Sequence, residues 1–177
     1  MMLKKLAVFA AMGAALSLSP AANALLIDNF SDAQTDEAVG GAVRSDSSQV
    51  GSMANTNIIG GYRDIWVGAT NTTVLTGAKS DVSAVDQDWG LSAGASVPSR
   101  FIVQWDGNDS APSGNDGSNS PTSENLTKTG MSAKDLTDLG ASDSFIFEVK
   151  SKDNRDWSFS ITVWEGATKS SSFTGTT

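Results

Sequence analysis

Near the C-terminal end, Trp157-Ser158-Phe159-Ser160-Ile161-Thr162-Val163-Trp164 alternates large apolar with small polar side chains until its last position. Only an extended strand puts residues i and i+2 on one face, so this run is a half-buried β-strand. Phe145-Ile146-Phe147-Glu148-Val149-Lys150 repeats the pattern, with Phe145, Phe147 and Val149 on one side. The polar stretch 151–156 between the two runs predicts a hairpin with a longish loop. Its register must bring Phe145, Phe147 and Val149 to the same face as Phe159 and Ile161.

Further strands are predicted over 25–30, 58–67, 72–78, 81–85 and 100–105, with Gly, Asn, Asp, Ser and Thr punctuating them. Short strands at this spacing specify an all-β fold, an antiparallel, jelly-roll-like β-sandwich of about 8–10 strands. It occupies residues 25–177. One short helical turn is predicted near Ser132 to Leu136, capped by Ser132. Gly60-Gly61 inside an apolar run marks a bulge or a close backbone approach. Two stretches read as loops: 31–49, mostly small and polar, and a flexible acidic loop at 106–123.

The first 24 residues are set apart from the fold. Lys4 and Lys5 precede an apolar run from Leu6 to Leu18, Ser19-Pro20 breaks it, and Ala22-Asn23-Ala24 follows. This is the pattern of a signal helix cleaved after Ala24. The apolar run is shorter than the roughly 20 residues a span requires, so export by signal peptidase is expected rather than anchoring. No later segment is long and apolar enough to be a stable membrane span. The destination is extracellular or the cell surface.

The chain has no Cys and no His, which excludes disulfides, thiolate or imidazole metal sites, a Ser-His-Asp triad and a Cys nucleophile. A net charge of −8, with 20 acidic residues against 12 basic ones, disfavours nucleic acid as a partner.

Several short motifs carry a family resemblance. They are Leu25-Leu26-Ile27-Asp28-Asn29-Phe30, Ile59-Gly60-Gly61-Tyr62-Arg63-Asp64-Ile65, Val103-Gln104-Trp105-Asp106-Gly107-Asn108-Asp109, and Asp135-Leu136-Thr137 through Asp143-Ser144-Phe145. In this order, behind a signal peptide, they resemble exported bacterial proteins of the PEP-CTERM, or exosortase-substrate, type. The resemblance implies a β-rich extracellular or surface domain associated with exopolysaccharide or biofilm. Exopolysaccharide and other surface proteins are its implied partners. The family's sorting tail, Pro-Glu-Pro with an apolar span and a basic cluster, is absent up to Thr177. Exosortase is therefore a partner only if the natural reading frame continues past Thr177, as the resemblance leads one to expect.

Candidate sites are few. Asp106, Asp109 and Asp116 could offer oxygens to calcium. However, an EF-type loop from Asp106 would need Glu at its twelfth position, where Gly117 stands. Solvated turn chemistry is the expectation for these acids, with no cofactor required. Among the five tryptophans, Trp105 and Trp157 share the alternation of the core, and Trp66 lies in a run apolar on both faces. Trp164 shares parity with Ser158, Ser160 and Thr162, and Trp89 is expected on an exposed turn. These two are the candidate ligand-binding residues of an alternative reading, a carbohydrate-binding module assisted by calcium. Asp64, Glu148 and Glu165 could serve a glycosidase, but nothing in the sequence pairs them. Arg63 and Asp64 are expected on opposite faces of their strand. No enzymatic activity is expected.

Overall fold

The computed structural model describes residues 26–73, 75–128, 130, 131, 136 and 156–176. The signal segment with Ala24, the Ser132 turn, the 145–150 run and Glu148 lie outside the described residues. The chain divides into two units, Met1–Leu25 with Asp135–Glu148, and Leu26–Lys134 with Val149–Thr177. All described residues except Leu136 belong to the second.

Its described strands are β1 (Gln34–Ala38), β2 (Val43–Gly51), β3 (Tyr62–Thr70), β4 (Ala78–Ser83), β5 (Asp88–Ala93), β6 (Ser99–Gln104), β7 (Ser158–Glu165) and β8 (Lys169–Thr176). Every pairing is antiparallel: β1-β4-β5 form one sheet, β2-β3-β6 a second, and β7-β8 a hairpin. The fold is thus all-β and sandwich-like, with β1 lying against β2 and β3, and β3 against β4.

The core between the two sheets is graded. At one end Ala38, Val67, Ala69, Ala78 and Val97 pack together, with Ala93 and Phe101 against them. At the other end a buried polar network lies beside Ile58 and Ile65. Arg63 donates from Nε to Gln34 Oε1 (2.9 Å) and from Nη1 to both oxygens of Asp28 (3.0 and 2.9 Å). Its Nη2 donates to the Asp32 carbonyl. Gln34 Nε2 donates to Ser48 O (2.9 Å), and Ser48 Oγ to Asp36 Oδ2 (2.9 Å). A buried charge persists only where it is paired and hydrogen-bonded, and Arg63 meets that condition in full.

This explains why 31–49 does not read as strand in the sequence. The region holds β1 and most of β2, and β1 buries Gln34, Asp36 and Ala38 in strict alternation. Two of those three are polar, so hydrophobic periodicity is silent while the backbone alternates. The predicted strand over 72–78 is corrected: a Thr73–Thr76 turn occupies it, and β4 begins only at Ala78. Its predicted successor is displaced, since β4 runs to Ser83 and Asp88 opens β5. Of the predicted strand 25–30, the described residues 26–30 contribute one isolated bridge, Asp28 to Ile58, and β3 starts at Tyr62 after a 3-10 turn. At that turn Gly61 has φ +84°, and a Cβ there would stand 2.4 Å from Ser52 O, a close backbone approach only glycine allows.

β7 pairs with β8 along its whole length, Ser158 opposite Thr176 and Glu165 opposite Lys169. The Ser- and Thr-rich stretch after Trp164 is therefore a strand.

Candidate functional site

β3 is buried on both faces, because it is central in its sheet and covered on each side. Odd positions from Arg63 to Ala69 meet the other sheet. Even positions meet the long segment that follows β6. Trp66, fully buried, donates its indole N–H to Gly114 O (3.0 Å). Further hydrogen bonds fasten this segment to the sheet: Gln104 Nε2 to Glu124 O (3.3 Å), Arg100 Nη1 to Ser120 Oγ (2.8 Å) and Asn115 Nδ2 to Arg44 O (2.9 Å).

Asp64 lies on this second face. Register places Gln49 of β2 and Gln104 of β6 directly beside it, one on each side. Asp106 and Asp109 belong to the loop that leaves β6. Carboxylate oxygens of Asp64, Asp106 and Asp109 lie within 4.8 Å of one another. Asp64 is only 1 % exposed and Asp106 5 %. Asp106 Oδ2 accepts from Thr127 N–H (2.9 Å), which fixes that carboxylate. Gln49 Nε2 reaches Gly107 O (3.3 Å) and Asp109 Oδ1 (3.5 Å). Both Asp64 oxygens, Asp106 Oδ1, Asp109 Oδ2 and Gln104 Oε1 are buried and accept no hydrogen bond.

Such an arrangement is costly for three ionised groups. At an effective dielectric near 20, each like-charge pair at this spacing repels by about 3.5–4 kcal/mol. Burial, with the added charges of Asp106 and Asp109, pushes the Asp64 carboxyl up to about 8; the nearby Gln49 amide offsets only part of this. Burial also raises Asp106, against the Thr127 hydrogen bond. The site can answer in two ways, by taking up a proton or by binding a cation. One proton bridges at most two oxygens, and five lack a partner here.

The sequence-derived candidates separate. Asp106 and Asp109 come together with Asp64, and Asp106 is buried rather than solvated. Asp116 is exposed and outside this group, and its Oδ1 accepts from Ser118 and Ser120 N–H within its own turn. Those hydrogen bonds hold its carboxyl below the usual range. Asp64 was legible as a strand carboxylate, but its partners lie far along the chain. Trp89 is corrected: it sits in β5, half-buried, and donates to Ser80 Oγ (2.7 Å). Trp164 is half-buried, with the Lys128 ammonium 3.8 Å from its ring centroid. Trp105 donates to Asp28 Oδ2 (2.8 Å), and Trp157 lies 5.4 Å from Phe159, ring to ring. Glu165 is exposed and pairs with Lys169 (3.8 Å), away from the aspartate group.

Comparison with known proteins returned no match, whether against family models, curated proteins or solved structures.

Proposed function

We propose that this chain is an exported structural module of the extracellular matrix or cell surface, of the PEP-CTERM type, associated with exopolysaccharide. One observation carries the non-catalytic part of this reading. The second face of the β2-β3-β6 sheet is roofed by residues 106–128 and fastened through Trp66, so it offers a braced surface rather than a cleft. Export rests on the N-terminal segment, and the matrix role on the resemblance of its motifs.

The tryptophans weigh against the sugar-binding alternative. Trp66, Trp89 and Trp105 spend their indole N–H groups on internal partners, and a lysine covers Trp164. A sugar platform needs flat rings open to solvent.

Expression of the full chain with a C-terminal tag in a biofilm-forming bacterium tests the proposal. Tagged protein beginning at Leu25 and co-sedimenting with isolated exopolysaccharide is expected. Protein retained in the cytoplasm with its N-terminal segment intact would overturn it. Micromolar binding to one defined oligosaccharide, lost in Trp164→Ala, would favour the binding-module reading instead.

A further inference from the structure

We propose that Asp64, Asp106 and Asp109, together with the side-chain oxygen of Gln104, form a calcium site that locks the segment after β6 onto β3. A group of acids alone would not justify this. The independent observation is that Asp64, 1 % exposed and contributing to the group, has neither of its oxygens hydrogen-bonded. Elsewhere in the fold, buried polar groups such as Arg63, Gln34 and Asp36 are hydrogen-bonded. Unpartnered acceptors concentrated at one place indicate a positive charge that satisfies several at once.

The donor set selects the ion. All candidate ligands are oxygens, the preference of hard cations, and the chain has no His or Cys to favour zinc or copper. Gln104 fits because its Nε2 is used by Glu124 O, which leaves Oε1 as the end facing inward. Five oxygens, from two neighbouring strands and a loop, are available without rearranging any hydrogen bond. Calcium takes about six to eight oxygens in irregular geometry, so one to three waters complete the shell. Magnesium demands a near-ideal octahedron and sheds water reluctantly, which suits this dispersed set poorly. Three carboxylates against a divalent cation leave little excess charge.

The site also has a structural consequence. Asp64 stands on the sheet, and Asp106 and Asp109 on the loop, so a shared ion would tie the two together. Calcium would then act on the fold beside Trp66 and the Thr127 hydrogen bond, bracing the same roof. Extracellular modules bind calcium with dissociation constants on the order of 10⁻⁴–10⁻³ M, the range expected here.

Thermal unfolding and isothermal titration calorimetry of the full chain test this, with CaCl2 and MgCl2 as probes after EDTA treatment and dialysis. At about 10 mM CaCl2 the melting temperature should rise by several degrees, because the ion binds the native state. Magnesium should give a clearly smaller rise. Asp64→Asn and Asp109→Asn should each weaken calcium binding at least tenfold, while Asp116→Asn should leave it unchanged. Asp109 is only half-buried, so its variant remains informative if Asp64→Asn folds poorly. No calcium-dependent heat or shift in the unmodified chain would overturn the site. So would an equal shift in Asp109→Asn. Equal effects of magnesium and calcium would overturn the assignment of the ion. None of these readouts depends on export or polysaccharide.

Discussion

Arg63 and Asp64 are adjacent in β3 and face opposite ways into opposite electrostatic situations. The guanidinium sits 2.9 Å from Asp28 Oδ2 and spends its donors on Gln34, Asp28 and Asp32. The carboxylate next to it accepts no hydrogen bond and meets two further acids. Strand alternation is the cause: one residue of chain moves a side chain from the inter-sheet core to the loop-covered face. The first situation is closed within the protein; the second is completed only by a proton or an ion.

Breaking the Arg63–Asp28 pair should be severe. Asp28 also accepts from Phe30 N–H (2.7 Å) and the Trp105 indole, so it joins the N-terminal stretch to the end of β6. Arg63→Ala or Asp28→Ala should each cost about 3–5 kcal/mol in urea unfolding, since each leaves the other charge buried and unpaired. The double variant Arg63→Met/Asp28→Leu should lose less than the sum of the single losses. A loss below about 1 kcal/mol for Arg63→Ala would show that the pair does not hold the fold.

Stability without divalent ions should fall as pH rises. Burial lifts Asp36 from 3.8 to about 6, against its Ser48 hydrogen bond, and Asp64 from 3.8 to about 8. A carboxyl with a raised native pKa keeps its proton in the folded state after the unfolded chain has released it. Each therefore lowers stability progressively between its unfolded and folded pKa. Asp81 and Asp116, lowered by hydrogen bonds, act with the opposite sign, and their contribution is lost as pH falls below the ordinary carboxyl value of 3.8. In EDTA, urea midpoints should decline from about pH 5 to pH 8. Asp36→Asn should reduce the slope only below about pH 6, whereas Asp64→Asn should reduce it across the whole range and most fully between 6 and 8. A decline of unchanged slope in both variants would refute the assignment.

Sequence periodicity found β3, β6 and β7 in outline, because each carries apolar side chains at strand spacing, whereas β4 falls across two misplaced expectations. It missed β1 and β2 for a physical reason: Gln34, Asp36 and Ser48 are buried but satisfied by each other and by Arg63. A hydrogen-bonded polar interior leaves no hydropathy signal. The aspartate group was half legible. Asp106 and Asp109 stood out as a loop motif, whereas Asp64 joins them only through the β3–β6 register, which places Gln104 beside it. Asp116 looks equivalent in sequence, yet its own turn occupies its Oδ1 and keeps it apart from the group. Local composition reports oxygen donors; topology decides which converge.

Trp66 should report on the roof over β3. Its ring also lies over Gly68, where a Cβ would stand 2.0 Å from the indole Cη2. Trp66→Phe removes the hydrogen bond to Gly114 O and part of the packing. A loss of about 1–3 kcal/mol is expected, from the lost hydrogen bond of the buried indole and a smaller ring. The 106–123 segment should then be cut faster by a nonspecific protease under native conditions, while β1-β4-β5 stays protected. Equal cleavage rates in the two proteins would show that Trp66 does not hold the loop.

Gly130 should prove as necessary to the aspartate group as the acids themselves. It closes a turn in which its N–H donates to Thr127 O (2.9 Å), and Thr127 in turn donates to Asp106 Oδ2 (2.9 Å). The backbone passes so near that a Cβ on Gly130 would stand 1.6 Å from the Asp106 carbonyl oxygen. The obstacle is backbone, which no rotamer change can relieve, so Gly130→Ala must push the turn and the loop apart. Overpacking of this kind costs on the order of 1–3 kcal/mol. The displacement falls on Asp106, so calcium affinity should drop although no ligand has been altered. The control is Gly117→Ala: a Cβ there meets nothing within 4 Å, although φ is +86°. That variant bears backbone strain without moving Asp106, and its calcium response should match the unmodified chain. Calorimetry on both variants decides the point, and equal affinities would detach the turn from the site.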